Sequence, residues 1–212
     1  WRFEKCDTNR PKILLDNGTS IDYHIPQDFE NLLPVIGTGG FSSVYAANWK
    51  ITQSKFAIKK FATGLVGEKE IENEIRLMEM VKFHPNIIKF LGVTKFTDEI
   101  NYSLVLEYAD GGTLGSYLKD NARTFKWENQ LKFAKEIASA VLCLHENEII
   151  HGDLHSDNVL IHQHTIKLAD FGCAHLQGSD SCTKARGVIP YMDPKIFNTQ
   201  ETELVNHPSI LK

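Results

Sequence analysis

Between Leu33 and Lys82 the hydrophobic period of the chain changes, and that change limits what it can fold into. "PVIGTGGFSSVYAANWK" and "KFAIKKF" are short apolar or alternating runs rich in Val, Ile, Phe and Tyr and broken by glycine, the texture of antiparallel strands. "EKEIENEIRLMEMVKF" then sets Ile71, Ile75 and Met78 at i, i+4 and i+7, which predicts a helix with one apolar face and a Glu-rich opposite side. Its acidic first turn, Glu68 and Glu70, suits the positive end of a helix dipole. Strand texture returns in "NIIKFLGVT" and "NYSLVLEYA". After Gly111-Gly112 the chain turns helical. "WENQLKFAKEIASAVLCLHEN" places Leu131, Ala134, Ile137/Ala138, Val141 and Leu144/His145 on one stripe, a helix meant for burial. "NVLIH" and "TIKLA" predict a short strand pair. Strands, one helix, more strands and then a helical portion argue for an α+β fold of two unequal lobes with a cleft between them.

Charge and composition remove several function classes. With 23 Lys and Arg against 27 Asp and Glu, the formal net charge of −4 supplies no basic footprint for nucleic acid or an anionic membrane. No apolar run approaches the length of a membrane span. Cys6, Cys143, Cys173 and Cys182 form no C-x-x-C pair, so neither a zinc site nor a redox motif is expected, and the reading is a reduced, cytoplasmic protein. His162 and His164 alternate along a strand-like run and are read as exposed strand residues. The sequons at Asn17 and Asn101 are read as chance matches. Residues 1–30, with Pro11, Pro26 and an Asn17-Gly18 turn signal, are read as an N-terminal extension to a domain over 31–212. The first residue is Trp1, which suggests a start upstream of it.

Five short segments carry chemistry. In "GTGGFSSV", Gly37 and Gly39 let backbone amides approach phosphate oxygens where a Cβ would obstruct. Strand-like residues follow directly, so the segment predicts a glycine-rich hairpin rather than a dinucleotide-binding turn into a helix. "FAIK" ends in Lys59 on the next strand, and Glu74 lies beside the apolar stripe of the following helix, so the two could pair and hold the amine over an anionic ligand. "HGDLHSDN" sets Asp153 and Asn158 five apart, and "DFG" follows at Asp170 to Gly172. Asp and Asn oxygens suit Mg²⁺, which keeps substrate phosphates in its shell.

Together with "HPNII", "LVLEYADGGTL" and "YMDP", in this order and spacing, these segments resemble the eukaryotic-type protein kinases from about Leu32 to Lys195. "HPNII" and "LVLEYADGGTL" are most similar to the tyrosine-kinase-like and tyrosine kinase branch. The resemblance implies a bilobal fold, with an N-lobe of antiparallel sheet plus one helix over about 31–109 and a helical C-lobe over about 110–212. It implies ATP, Mg²⁺ and a protein substrate. Gly37, Thr38, Gly39, Gly40 and Val44 would cover the nucleotide, with Val44 and Ala57 above the adenine and Leu160 below it. Leu106 would be the gatekeeper, and Glu107 and Ala109 would offer backbone groups to the base. Lys59, held by Glu74, would contact the α- and β-phosphates; Lys60 would face the other side of the strand, solvated. Asp153 would orient the substrate hydroxyl and accept its proton, while Asn158 and Asp170 would hold Mg²⁺. Met78, Phe90, His151 and Phe171 would form a hydrophobic spine.

The chain departs from the family pattern at four places. Gly152 stands where the family has an Arg that binds a phosphate on the activation segment, so Ser179, Ser181 and Thr183 would lack that reader. His155 stands where serine/threonine kinases usually have a Lys. Val188 replaces a Thr that would hydrogen-bond near the catalytic Asp, and Lys195 reverses the charge of a Glu. The family also continues into further helices past the position of Lys212, so the C-lobe is expected to be incomplete here. Two readings follow: an ATP-dependent kinase transferring the γ-phosphate to a protein hydroxyl, Ser/Thr rather than Tyr, or a truncated nucleotide-binding pseudokinase or scaffold.

Overall fold

The structure, a computed structural model, describes residues 2–4, 11–15, 18–30, 35–97, 99–179 and 188–192. It divides into two compact units: residues 1–75 with 89–108, and residues 76–88 with 109–212.

The first unit holds two sheets. Strands β1 (Arg2–Glu4), β2 (Lys12–Leu14) and β3 (Ser20–Asp22) form an antiparallel meander, and its Ile13, Leu15 and Ile21 are buried. Nothing in the alternation of residues 1–30 announces these strands, because each is only three residues long. The larger sheet contains β4 (Phe29–Glu30), β5 (Val35–Thr38), β6 (Ser42–Trp49), β7 (Lys55–Phe61), β8 (Phe90–Thr94) and β9 (Ser103–Glu107). Its order is β4-β6-β7-β9-β8, with β5 paired to β6. Helix α1 (Glu68–Met80) follows β7, with Ile71, Ile75 and Met78 buried as the 3.6-residue period predicts.

The period of two in β7 separates two environments. Phe56 and Ile58 join Phe29, Ala47, Val105 and Trp49 in an apolar cluster; Phe29 and Trp49 meet edge to face, with centroids 5.2 Å apart. Lys60 shares that face. It is not solvated as the sequence suggested: its Nζ lies 2.7 Å from Glu99 and 4.0 Å over the Phe96 ring, half-buried. Its long stem covers the apolar cluster while its amine finds a carboxylate and two aromatic faces. The opposite face of β7 carries Ala57 and Lys59.

The second unit contains α2 (Leu114–Asp120), α3 (Trp127–Glu146), β10 (Ile149–Ile150), β11 (Val159–His162), β12 (Thr165–Leu168) and β13 (His175–Leu176). Thr113 caps α2 by accepting the Ser116 N–H at 3.1 Å. Strands β11 and β12 form the predicted hairpin. Gln163 and His164 both have positive φ at its turn, so His164 belongs to the turn and not to a strand, while His162 contacts Asp110 at 3.3 Å. The "HPNII" segment extends this pair: Leu168 N–H donates to Asn86 O at 2.8 Å, Ile88 N–H to Leu168 O at 2.9 Å, and Asn86 Nδ2 to Ile166 O at 3.1 Å.

Helix α3 forms where predicted, but its buried face is only partly the expected one: Leu144 is buried and Ile137 and Val141 are half-buried. Phe133, Ala140 and Leu144 are buried, whereas Leu131, Ala134 and Ala138 are exposed. The helix packs on β10 and β12, and the large Phe133 ring, in contact with Tyr117 and Phe125, sets which side turns inward. The sequence offers apolar residues on more than one side, so periodicity alone places the stripe only in part. Among the described residues no helix is long and apolar enough to cross a membrane.

Phe29 is 8% exposed and sits at the centre of three edge-on or tilted aromatic contacts. Phe29→Ala is expected to lower stability by about 3 kcal/mol, read as a shift in the urea unfolding midpoint.

Candidate active site

In the first unit, the sheet register brings the predicted nucleotide residues together. Val44 lies directly across from Lys59, and Lys59 from Leu104; Ala57 lies across from Ala46 and from Leu106. Directly paired residues of an antiparallel sheet share a face, so Val44, Ala57, Lys59 and Leu106 present one continuous surface. Gly37 is paired with Val44, and a Cβ built there would meet Val44 Cβ at 3.8 Å, an ordinary contact. At Gly39, where the N–H donates to Ser42 O at 2.8 Å, a Cβ would also be accommodated. Neither glycine is demanded by backbone conformation or by packing. Thr38 ends β5, and Gly40 lies in the turn.

Lys59 is the charged residue of this face. It is 4% exposed, Glu74 is 3% exposed, and Nζ donates to Glu74 Oε1 at 2.6 Å. The spacing of α1 makes the pair possible: Glu74 lies beside Ile71 and Ile75 on the inward side of the helix. Leu106 is buried. Glu107 donates its N–H to Lys89 O at 2.9 Å and is half-buried, as is Ala109 at the start of the second unit.

In the second unit, the pairing of β10 with β13 brackets two loops, 151–158 and 169–174. Asp153, Asn158 and Asp170 lie on these loops. Asn158 Nδ2 donates to Asp153 O at 2.8 Å and to Asp153 Oδ2 at 3.2 Å, which turns the amide oxygen the other way. Asn158 O accepts the Ala169 N–H at 2.9 Å, so the two loops are joined one residue before Asp170. Asp170 is exposed, has φ +62°, and its Oδ1 accepts the Gly172 N–H at 3.2 Å. A positive φ at a non-glycine residue is uncommon and is typical of functional positions. Leu160, half-buried on β11, is bridged to Thr113.

Two departures from the family pattern acquire physical reasons. Gly152 has φ +79°, and a Cβ there would stand 2.4 Å from Cys173 O. A side chain at this position meets both backbone strain and the carbonyl after the "DFG" segment. Val188 lacks a hydroxyl, but its main-chain N–H donates to Asp153 Oδ1 at 3.0 Å, the kind of contact a Thr side chain would have made. His155 lies 3.5 Å from Asp153 Oδ2 and stacks on Tyr191, with centroids 5.5 Å apart. Ser179 Oγ donates to Leu176 O; Ser181, Thr183 and Lys195 lie outside the described residues.

Some contacts were not foreseen from sequence. His151 Nε2 donates to Ala169 O at 3.0 Å, its Nδ1 accepts the Asp153 N–H, and its ring lies edge-on to the fully buried Phe171. This fixes a neutral tautomer, and burial holds the pKa of His151 below its ordinary 6.5. Gly115 is a second case: a Cβ there would stand 2.4 Å from Asp157 Oδ1. "GGTLG" therefore reads as a surface fitted to the 151–158 loop, a signal visible only as excess glycine.

Gly152→Ala is expected to lower stability by about 1–3 kcal/mol, read by thermal unfolding. His151 gives a pH dependence of defined sign. Its folded pKa lies below the unfolded value, so the unfolded chain takes up the proton first as pH falls. The stability held by neutral His151 is present above about pH 6.5 and is lost as pH drops through the lower folded value. Unfolding midpoints measured from pH 7.5 downward should fall less steeply for His151→Gln than for the wild type.

The chain matches the family model of the protein kinase domain over residues 31–206. It is 36% identical over 177 residues to U-box domain-containing protein 33 of Arabidopsis thaliana, covering 78% of this chain and 20% of that protein. It is 37% identical over 171 residues to the serine/threonine-protein kinase SIK3 homolog of Danio rerio, covering 78% and 14%. With mitogen-activated protein kinase kinase kinase 15 of Mus musculus it shares 31% over 188 residues, covering 86% and 14%. The chain thus spans a quarter or less of these relatives. The ordered motifs, the α+β fold and the match over most of the sequence agree: this chain belongs to the protein kinase domain family.

Proposed function

We propose that the chain is a catalytic domain that uses ATP and Mg²⁺ to phosphorylate a hydroxyl of a protein substrate, serine or threonine rather than tyrosine. The observation that carries this reading is the buried Lys59–Glu74 pair. Burying two charges costs several kcal/mol per ion and is often no better for stability than apolar packing, so such a pair is a poor way to hold a sheet to a helix. It is a good way to hold an amine for an anionic ligand. The face formed by Val44, Ala57 and Leu106 beside it suits an adenine. Gly37 supports the same reading, because a side chain there would stand beside Val44 on that face.

Among the described residues no group of three or more His, Cys, Asp or Glu converges to hold a metal. Asp170 and the Asn158 amide oxygen would instead serve as two hard oxygen ligands, the set Mg²⁺ accepts when phosphates complete its shell. When bound, the metal would neutralise charge on the phosphates. Asp153 is oriented from both sides, Oδ1 by the Val188 N–H and Oδ2 by the Asn158 amide. Each carboxylate oxygen retains a further lone pair, so Asp153 can take the proton of an incoming hydroxyl without losing its own anchors.

Branch membership, tyrosine-kinase-like or tyrosine kinase, rests on "HPNII" and "LVLEYADGGTL". The serine/threonine preference draws on the Danio rerio relative, a serine/threonine-protein kinase by name. A cytoplasmic setting fits Cys143 and Cys173, neither of which is in a disulfide.

The test is phosphate transfer from labelled ATP to a generic protein substrate, followed by phosphoamino-acid analysis. The wild type should yield phosphoserine or phosphothreonine, and Lys59→Met and Asp153→Asn should each lose roughly 10²-fold or more in rate. A nucleotide-dependent rise in unfolding temperature with no transfer would favour the scaffold reading instead.

A further inference from the structure

Residues 12–24 precede the stretch that matches the kinase family, yet they belong to the unit that holds Lys59 and Glu74. The segment ends against the edge strand β8. Tyr23 forms a parallel bridge with Val93, and His24 N–H donates to Val93 O at 2.8 Å. His24 Nε2 contacts Leu91 O at 2.8 Å, and its buried ring stands edge-on to Trp49.

Between Leu91 and Val93, the sheet is shaped for this contact. Gly92 has φ +136°, and a Cβ there would lie 2.2 Å from Asp22 O and 2.9 Å from the His24 ring. No other residue lets the arm backbone come so close. Gly92 is therefore explained by the arm, and the arm is built into the unit.

From this edge the pairing register runs straight to Lys59. Tyr23 meets Val93, Val93 lies across from Leu104, and Leu104 lies across from Lys59.

We infer that the N-terminal arm, Lys12–His24, is a positioning element for the Lys59–Glu74 pair, acting through Tyr23 and His24 on the sheet row of Lys59. The kinase reading supplies only the reason the pair matters; the geometry and its test stand without it.

The test uses the full 212-residue chain and Lys60 as an internal standard. Lys60 is the next residue on β7, on the opposite face, paired with Glu99. Amines are labelled with an N-hydroxysuccinimide acetate reagent, and the rate at each lysine is read by peptide mass spectrometry. In Tyr23→Ala and Gly92→Ala, Lys59 labelling should rise roughly fivefold or more, with Lys60 little changed, as expected for a local opening. The milder His24→Gln, which replaces the ring that contacts Leu91 O, should give a smaller rise at Lys59 alone and keeps the test open if the other two variants do not fold. Equal rises at both lysines would make the arm a general stabiliser, and an unchanged Lys59 in the folded variants would remove any link to the pair; either result overturns the inference. Because the readout needs no catalysis, loss of phosphate transfer and failure of this proposal remain separate results.

Discussion

A lysine amine and a glutamate carboxylate 2.6 Å apart, both almost without solvent, set the terms for the first unit. Such a pair is tolerated only when its geometry is held tightly, since either charge left alone in the interior would be strongly destabilising. Much of the unit can be read as the means of holding it. The two-residue period of β7 turns Lys59 to one face while Ile58 and Lys60 bind the other to the aromatic cluster. The 3.6-residue period of α1 buries Ile71 and Ile75 and brings Glu74 inward beside them.

The second unit solves its positioning problem by different means. Its chemistry-bearing side chains lie on loops, and loops are held by what their backbones can reach. Short pairing of β10 with β13, the Asn158 O to Ala169 N–H bond and the His151 bond to Ala169 O fasten two loops to each other. The "HPNII" segment braces β12, which leads into one of them. Glycines fit where backbone approaches closely: Gly111 against Ile161, Gly115 against Asp157, Gly152 against Cys173.

Which parts of this were legible in the sequence follows from the range of the interactions. Helix α1, the glycine-rich hairpin and the β11–β12 pair are written in local periodicity and were readable. So was the Lys59–Glu74 pair, though only as a possibility until motif order gave it context. The buried face of α3 is legible only in part, because its stripe also depends on what packs on Phe133, information that sits elsewhere in the chain. Lys60 was taken as solvated because its partners, Glu99 and Phe96, are nearly forty residues away. The arm was passed over for the same reason. Its strands are too short to show alternation, and the residue that betrays its docking, Gly92, lies seventy residues downstream of Asp22 in an otherwise ordinary strand.

Gly152 and Val188 looked from sequence like losses, and the structure gives both a different meaning. An Arg at 152 would bring a charge able to read a phosphate, but its Cβ would have to displace the Cys173 carbonyl from its present place. A Thr at 188 would bring a hydroxyl, but Asp153 Oδ1 already accepts the Val188 N–H. At 152 the missing side chain leaves room for the Cys173 carbonyl, and at 188 the main-chain N–H is the group that reaches Asp153. Neither arrangement uses a phosphate as a partner, so neither is switched by phosphorylation in the way an arginine–phosphate pair is. The 151–158 loop is thus held by the Val188 N–H, the Asn158 amide and the His151 ring together.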